Sequence, residues 1–88
     1  MTLQQLKYII AIDRHRSFAK AAAELDITQP TLSALLLKLE EELGVKIFER
    51  SNRSVVSTSI GRIILLQAQT AISEADRIAE TVSYTHLR

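Results

Sequence analysis

Thr28, Gln29, Thr31 and Ser33 place four hydrogen-bonding side chains within one short stretch around Pro30. A glutamine amide donates and accepts at once, which suits the edge of an adenine, and hydroxyls serve bases or phosphate oxygens equally well. The same residue types cap helices, so Thr28 is open between capping and contact, and Ser33 between contact and solvation. Arg50 and Arg53 flank a polar turn, where one arginine could enter a minor groove while the other clamps a phosphate. Arg50 has an alternative, because Glu49 is its neighbour and Glu40 or Glu41 could pair with it, whereas Arg53 has no adjacent acid. Lys38 is open between a phosphate contact and a helical pair with Glu42. Arg14 and Arg16, ahead of Ser17, are open in the same way.

Catalytic chemistry is poorly served. Asp13, His15 and Ser17 crowd together, but residues two apart at a helix end do not face one another, and His15 reads as solvated. Cysteine is absent and only His15 and His86 offer imidazoles. With no glycine-rich phosphate loop, paired histidine motif or usefully spaced carboxylate pair, no catalytic residue, metal or cofactor is expected.

The elements that must position these residues are mostly helical. The chain has 88 residues, 47% of them apolar and 24% charged, with only two Gly and one Pro, which fits one small helical domain. A chain of this size buries roughly 60 to 65% of its unfolded surface, so self-association would help its stability. Its apolar runs are far shorter than the roughly 20 residues of a membrane span, and no signal-peptide pattern opens it, so no membrane partner and a cytoplasmic setting are expected. Eleven Lys and Arg against ten Asp and Glu give a net charge of +1. That says little about a polyanionic partner, so the positions of the charges carry the argument.

Leu3, Leu6 and Ile10 predict an amphipathic first helix to about Asp13. Ser17 caps a second helix, thin with alanines, in which Phe18, Ala22 and Leu25 share a stripe. Asp26 and Ile27 turn the chain, Thr28 caps a third helix, and Pro30 falls in its first turn, where a missing N–H costs nothing. In that helix Leu32, Leu36, Leu39 and Leu43 form the buried stripe, while Pro30, Thr31, Ala34, Leu37, Lys38 and Glu41 point outward. Gly44 stops it, and Lys46 to Glu49 and Val55 to Ser57 read as a two-stranded ribbon. Two helices joined by a short turn, the second with a low-profile outer side, make a helix-turn-helix with a wing, a shape that fits the major groove.

Thr58 caps a long last helix from about Ser59 to Val82, roughly 36 Å at 1.5 Å per residue. Ile64, Ala68, Ala71, Ala75, Ile78 and Val82 repeat along it as a heptad seam, an expected homodimer interface. Its polar face is acidic, which argues against a membrane surface. The expected division is residues 1–58 as a winged helix-turn-helix, 59–82 as a dimerisation helix and 83–88 as a frayed tail. A reading of a different class has the long helix as a protein-interaction module, with the winged part as a spacer that binds no nucleic acid.

The words SFAKAAAEL (Ser17 to Leu25), ITQPTLS (Ile27 to Ser33), KLEEELGVKIFERSNR (Lys38 to Arg53) and the helix start from Thr58 to Gly61 stand in a specific order. Over Leu3 to Val82 the chain resembles the N-terminal DNA-binding domain of LysR-type transcriptional regulators, with QPTLS and KLEEELG most similar to the peroxide-sensing branch. The resemblance implies a third helix in the major groove and a wing arginine in the minor groove. It also implies a long helix paired antiparallel with a partner's and an inverted-repeat operator. By position, Gln29, Pro30, Thr31, Ser33 and Ala34 would face bases or nearby backbone and Arg53 the minor groove, while Phe18, Leu32, Leu36, Leu39 and Phe48 would be core. Family members continue into a ligand-binding domain, so effector response, and any tetramer, would belong to a longer chain. The sequence departs from the family at Ala34, Leu35 and Leu37, where Arg, Lys or Gln is common, at Ser57, where an apolar residue is usual, and at Ile60, where a small one is.

Overall fold

Thr2 opens the first helix with a reciprocal cap: Gln5 N–H donates to Thr2 Oγ1 at 3.1 Å and Thr2 N–H donates to Gln5 Oε1 at 2.9 Å. In the computed structural model, which describes residues 1–51 and 54–86, α1 spans Leu3–His15, α2 Phe18–Leu25 and α3 Gln29–Leu43. Strands β1 (Phe48–Arg50) and β2 (Val55–Ser57) follow, and α4 (Ser59–His86) ends the chain. The strands pair antiparallel, with Phe48 opposite Ser57 and Arg50 opposite Val55. That pairing places the unusual Ser57 at a definite register. The first strand begins two residues later than the sequence suggests, so Arg50 belongs to the strand and not to the turn beyond it.

The helix junctions are tight for local reasons. Arg16 and Asp26 both take the left-handed conformation just past α1 and α2, with φ of 51° and 57°. Ile27 N–H reaches back to the Ala22 carbonyl at 3.0 Å, closing the end of α2 and aiming the chain into α3. Gly44 ends α3 at φ 72°, a conformation glycine adopts without cost.

One core joins all the elements, with Ile9, Ile12, Leu32, Leu39 and Ile47 its most enclosed large side chains. On α1 the buried stripe is Leu6, Ile9 and Ile12, not Leu3, Leu6 and Ile10; Leu3 is exposed because nothing beyond the helix start covers it. On α3 the expectation holds: Leu32, Leu36 and Leu39 are buried and Leu43 half-buried.

The long helix departs from its expected description in two ways. Leu65 and Ala68 are buried, so the first half of α4 packs into the core of the winged part. The helix also runs through His86, past the end expected at Val82; Leu87 and Arg88 lie outside the described residues. Of the expected dimer seam, Ala68 is buried in the chain's own core, and Ile64 and Ala71 pack against it. Ala75 is half-buried, while Ile78 and Val82 are exposed. The reason is α1, which lies along the first half of α4 and covers that part of the seam.

Candidate nucleic-acid interface

The start of α3 stands free of the rest of the molecule. Thr28, Gln29, Pro30, Thr31, Ala34, Leu37, Lys38 and Glu41 are all exposed, and Ser33 is half-buried at the edge of that face. Thr28 is a cap, since Thr31 N–H donates to its Oγ1 at 3.3 Å, and the two threonine hydroxyls lie 2.6 Å apart. Capping does not bury it, so its outer side stays open. Among the described residues no side-chain hydrogen bond or ion pair engages Gln29, Ser33 or Lys38, and Gln29 and Lys38 are exposed. The pairing of Lys38 with Glu42 is absent because Glu42 binds the Met1 ammonium at 2.8 Å. Leu37 is 55% exposed, too open for a core residue, and lies on the outer side of the helix.

The wing is tied to the α3 end by Glu40, whose Oε2 accepts from Ile47 N–H at 2.7 Å. With Glu40 so engaged, the expected Arg50 ion pair does not form. The Arg50 guanidinium instead lies over the Phe18 ring, 3.9 Å from its centroid. Alternation along β1 explains this: Phe48 and Arg50 share the side that faces the core, and Glu49 points the other way. Arg53 lies outside the described residues; Ser51 N–H donates to the Ser54 carbonyl at 3.0 Å.

Gln29 and Arg50 line a single open notch together with Arg16, Ser17, Ser51 and Ser54. The beginning of α3 and the base of the wing thus face the same way. Sequence reasoning listed Gln29 and Arg50 but missed the role of Phe18; the alternation starting from Phe48 was the available signal.

His15, read as solvated, is paired. Its Nε2 is 2.8 Å from Glu24 Oε1, and Arg14 binds the other oxygen of the same carboxylate. The His15 hydrogen bond, with help from Arg14, holds Glu24 below the ordinary carboxylate range. This clasp joins α1 to α2. Among the described residues no group of His, Cys, Asp and Glu side chains is arranged to hold a metal, and no helix is long and apolar enough to cross a membrane.

Residues 3–62 match the family model described as bacterial regulatory helix-turn-helix protein, lysR family. The chain is 40% identical over 83 residues to the hydrogen peroxide-inducible genes activator of Pectobacterium carotovorum subsp. carotovorum, covering 94% of this chain and 28% of that protein. It is equally similar to the DNA-binding transcriptional dual regulator OxyR of Escherichia coli K12, again 40% identical over 94% of this chain, and covers 27% of that regulator. The chain therefore spans little more than a quarter of the length of these relatives. The crystal structure of the BenM DNA-binding domain in complex with benA site 1 DNA superposes with a TM-score of 0.92 at 36% identity, covering 97% of this chain and 96% of that one. By a family match over more than half its length, and by a fold that places the same elements in the same order, the chain belongs to the lysR family of bacterial helix-turn-helix regulators.

Proposed function

We propose that this chain is the DNA-reading end of a cytoplasmic transcription regulator and binds an inverted-repeat operator as a dimer. The observation that carries the proposal is the free outer side of α3: small and polar groups stand exposed over its first two turns while Leu32, Leu36 and Leu39 anchor its other side. A helix so presented can enter a major groove about 12 Å wide. Gln29, Thr31 and Ser33 would address base edges, Thr28, Pro30 and Ala34 would lie against bases or nearby backbone, and Lys38 would take a phosphate. Arg50 and Arg53 would hold the wing to the duplex, Arg53 in the minor groove. The BenM domain, alike in fold and crystallised with DNA, supports this reading.

For the dimer, the second half of α4 is the part left to a partner. Ile78 is 67% exposed and Val82 50%, and Ile60 and Ile63 share their side of the helix. Pairing two such helices would bring two α3 segments to half-sites one helical turn apart or a multiple of it. Response to an effector belongs, in this reading, to a part of the protein outside these residues.

Selection of bound duplexes from a random library tests the proposal. Recovered sites should show two-fold symmetry with a fixed spacing, and log affinity should fall linearly with log salt by about 0.9 per phosphate neutralised. Recovery of no common sequence, with a flat response to salt, would refute it and return the chain to the interaction-module reading.

A further inference from the structure

We propose that the notch between the starts of α2 and α3 and the base of the wing seats one phosphodiester of duplex DNA. The Arg50 guanidinium would be its anchor, and Phe18 the platform that holds this guanidinium. The proposal rests on the DNA-binding reading above and names a contact within it.

Three observations meet at this place. Arg50 is stacked over a ring that is itself only 6% exposed, so the platform is fixed by the core and fixes the plane of the guanidinium in turn. Stacking uses a face of the group and leaves its five N–H donors free around the edge. Arg14 is spent on Glu24 and Arg77 on Glu74, whereas among the described residues Arg16, Arg50 and Arg62 have no acidic partner, and of these three Arg16 and Arg50 line the notch. The notch has a volume of about 300 Å³ and is lined by two cations, three serines and the Gln29 amide, with no acid among them.

Two arginines converging on a concave surface without a counter-charge leave an anion to be supplied. A planar guanidinium pinned by its face offers the bidentate geometry that phosphate oxygens accept. The same pinning keeps Arg50 from extending into a groove, which separates its role from that of Arg53. A phosphate seated here lies beside Gln29, so it would set the register in which α3 meets its base pairs.

The test uses the 88-residue chain with a duplex recovered by the selection and with a shuffled duplex of the same length. Arg50→Ala should weaken binding to both by a similar factor, about tenfold or more, since a hydrogen-bonded charged contact is lost. It should also lower the salt slope by about 0.9 per chain bound. Arg50→Lys should keep the slope and lose part of the affinity. In a Phe18→Leu background Arg50→Ala should cost less than in the parent; should Phe18→Leu fail to fold, Arg50→Lys still separates a stacked fork from a bare charge. Neutral methylphosphonate linkages introduced one at a time should hurt the parent at one position per half-site, and the Arg50→Ala variant should be indifferent there.

An unchanged slope in Arg50→Ala, or a loss confined to a single base pair, overturns the phosphate seat while leaving DNA binding intact. A parent that binds neither duplex overturns both.

Discussion

Gly61 sits in the first turn of α4 where that helix touches the entry to the wing, and replacing it with alanine should destabilise the whole domain. A Cβ built there would collide with the Ile47 carbonyl oxygen and come within 2.9 Å of both the Ile47 carbonyl carbon and Thr58 Oγ1. Two of these neighbours are backbone and cannot swing aside. The contact is drawn close by hydrogen bonds: Thr58 N–H donates to the Ile47 carbonyl at 2.9 Å, and Gly61 N–H donates to Thr58 Oγ1 at 2.9 Å. Thr58 Oγ1 in turn donates to the Lys46 carbonyl at 2.6 Å. Forcing the helix outward costs about 1 to 3 kcal/mol of overpacking, and stretching two hydrogen bonds about 1 kcal/mol more. Alanine's better helix propensity offsets about 1 kcal/mol. The net is a loss of about 2 kcal/mol, which for a domain of this size lowers Tm by roughly 10 °C. Thermal unfolding followed by circular dichroism at 222 nm measures it, with protein concentration held constant because dimerisation shifts Tm. A Gly61→Ala variant as stable as the parent would refute the reasoning, for it would mean that α4 and the Ile47 backbone do not approach as closely as described.

Three further outcomes are expected. Gln29→Ala should relax preference at one base pair of the selected site by about 1 to 3 kcal/mol while leaving affinity for shuffled DNA nearly unchanged, as read by competition binding. Ile78→Glu should shift sedimentation toward monomer without loss of helicity, whereas Ala71→Glu, at the edge of the chain's own core, should also lower Tm. Glu24 is held below its ordinary value in the folded state, so its contribution is present above the unfolded carboxylate pKa and is lost as pH falls through the lowered one. Acid unfolding of Glu24→Gln, compared with the parent, should therefore show a shallower loss of stability on the acid side.

Much of the site was readable before the fold. The outward side of α3 follows from turn chemistry and helical period alone, because Thr28 and Pro30 set where the helix begins and each residue thereafter turns by 100°. The three elements that frame it were legible for the same reason, their signals being local. The packing of Arg50 on Phe18 was not legible, since proximity in sequence favoured the acids at 40, 41 and 49, while the strand register turned its side chain toward a ring far away in the chain. His15 was misread likewise, its partner Glu24 lying on the next helix.

The heptad of α4 marks the division between what the sequence determined and what the tertiary structure decided. Periodic apolar residues require that a face of the helix be covered, and this requirement can be read from spacing. Which surface covers it depends on where α1 comes to lie, and that is settled by the packing of Leu6, Ile9 and Ile12 against residues distant in the chain. The sequence thus determined the elements, their order and the open side of α3, all products of local backbone and side-chain preferences. Tertiary packing alone decided that Ala68 faces inward, that Ile78 and Val82 remain free and that Arg50 rests on an aromatic ring, since these depend on contacts between segments with no fixed relation in sequence.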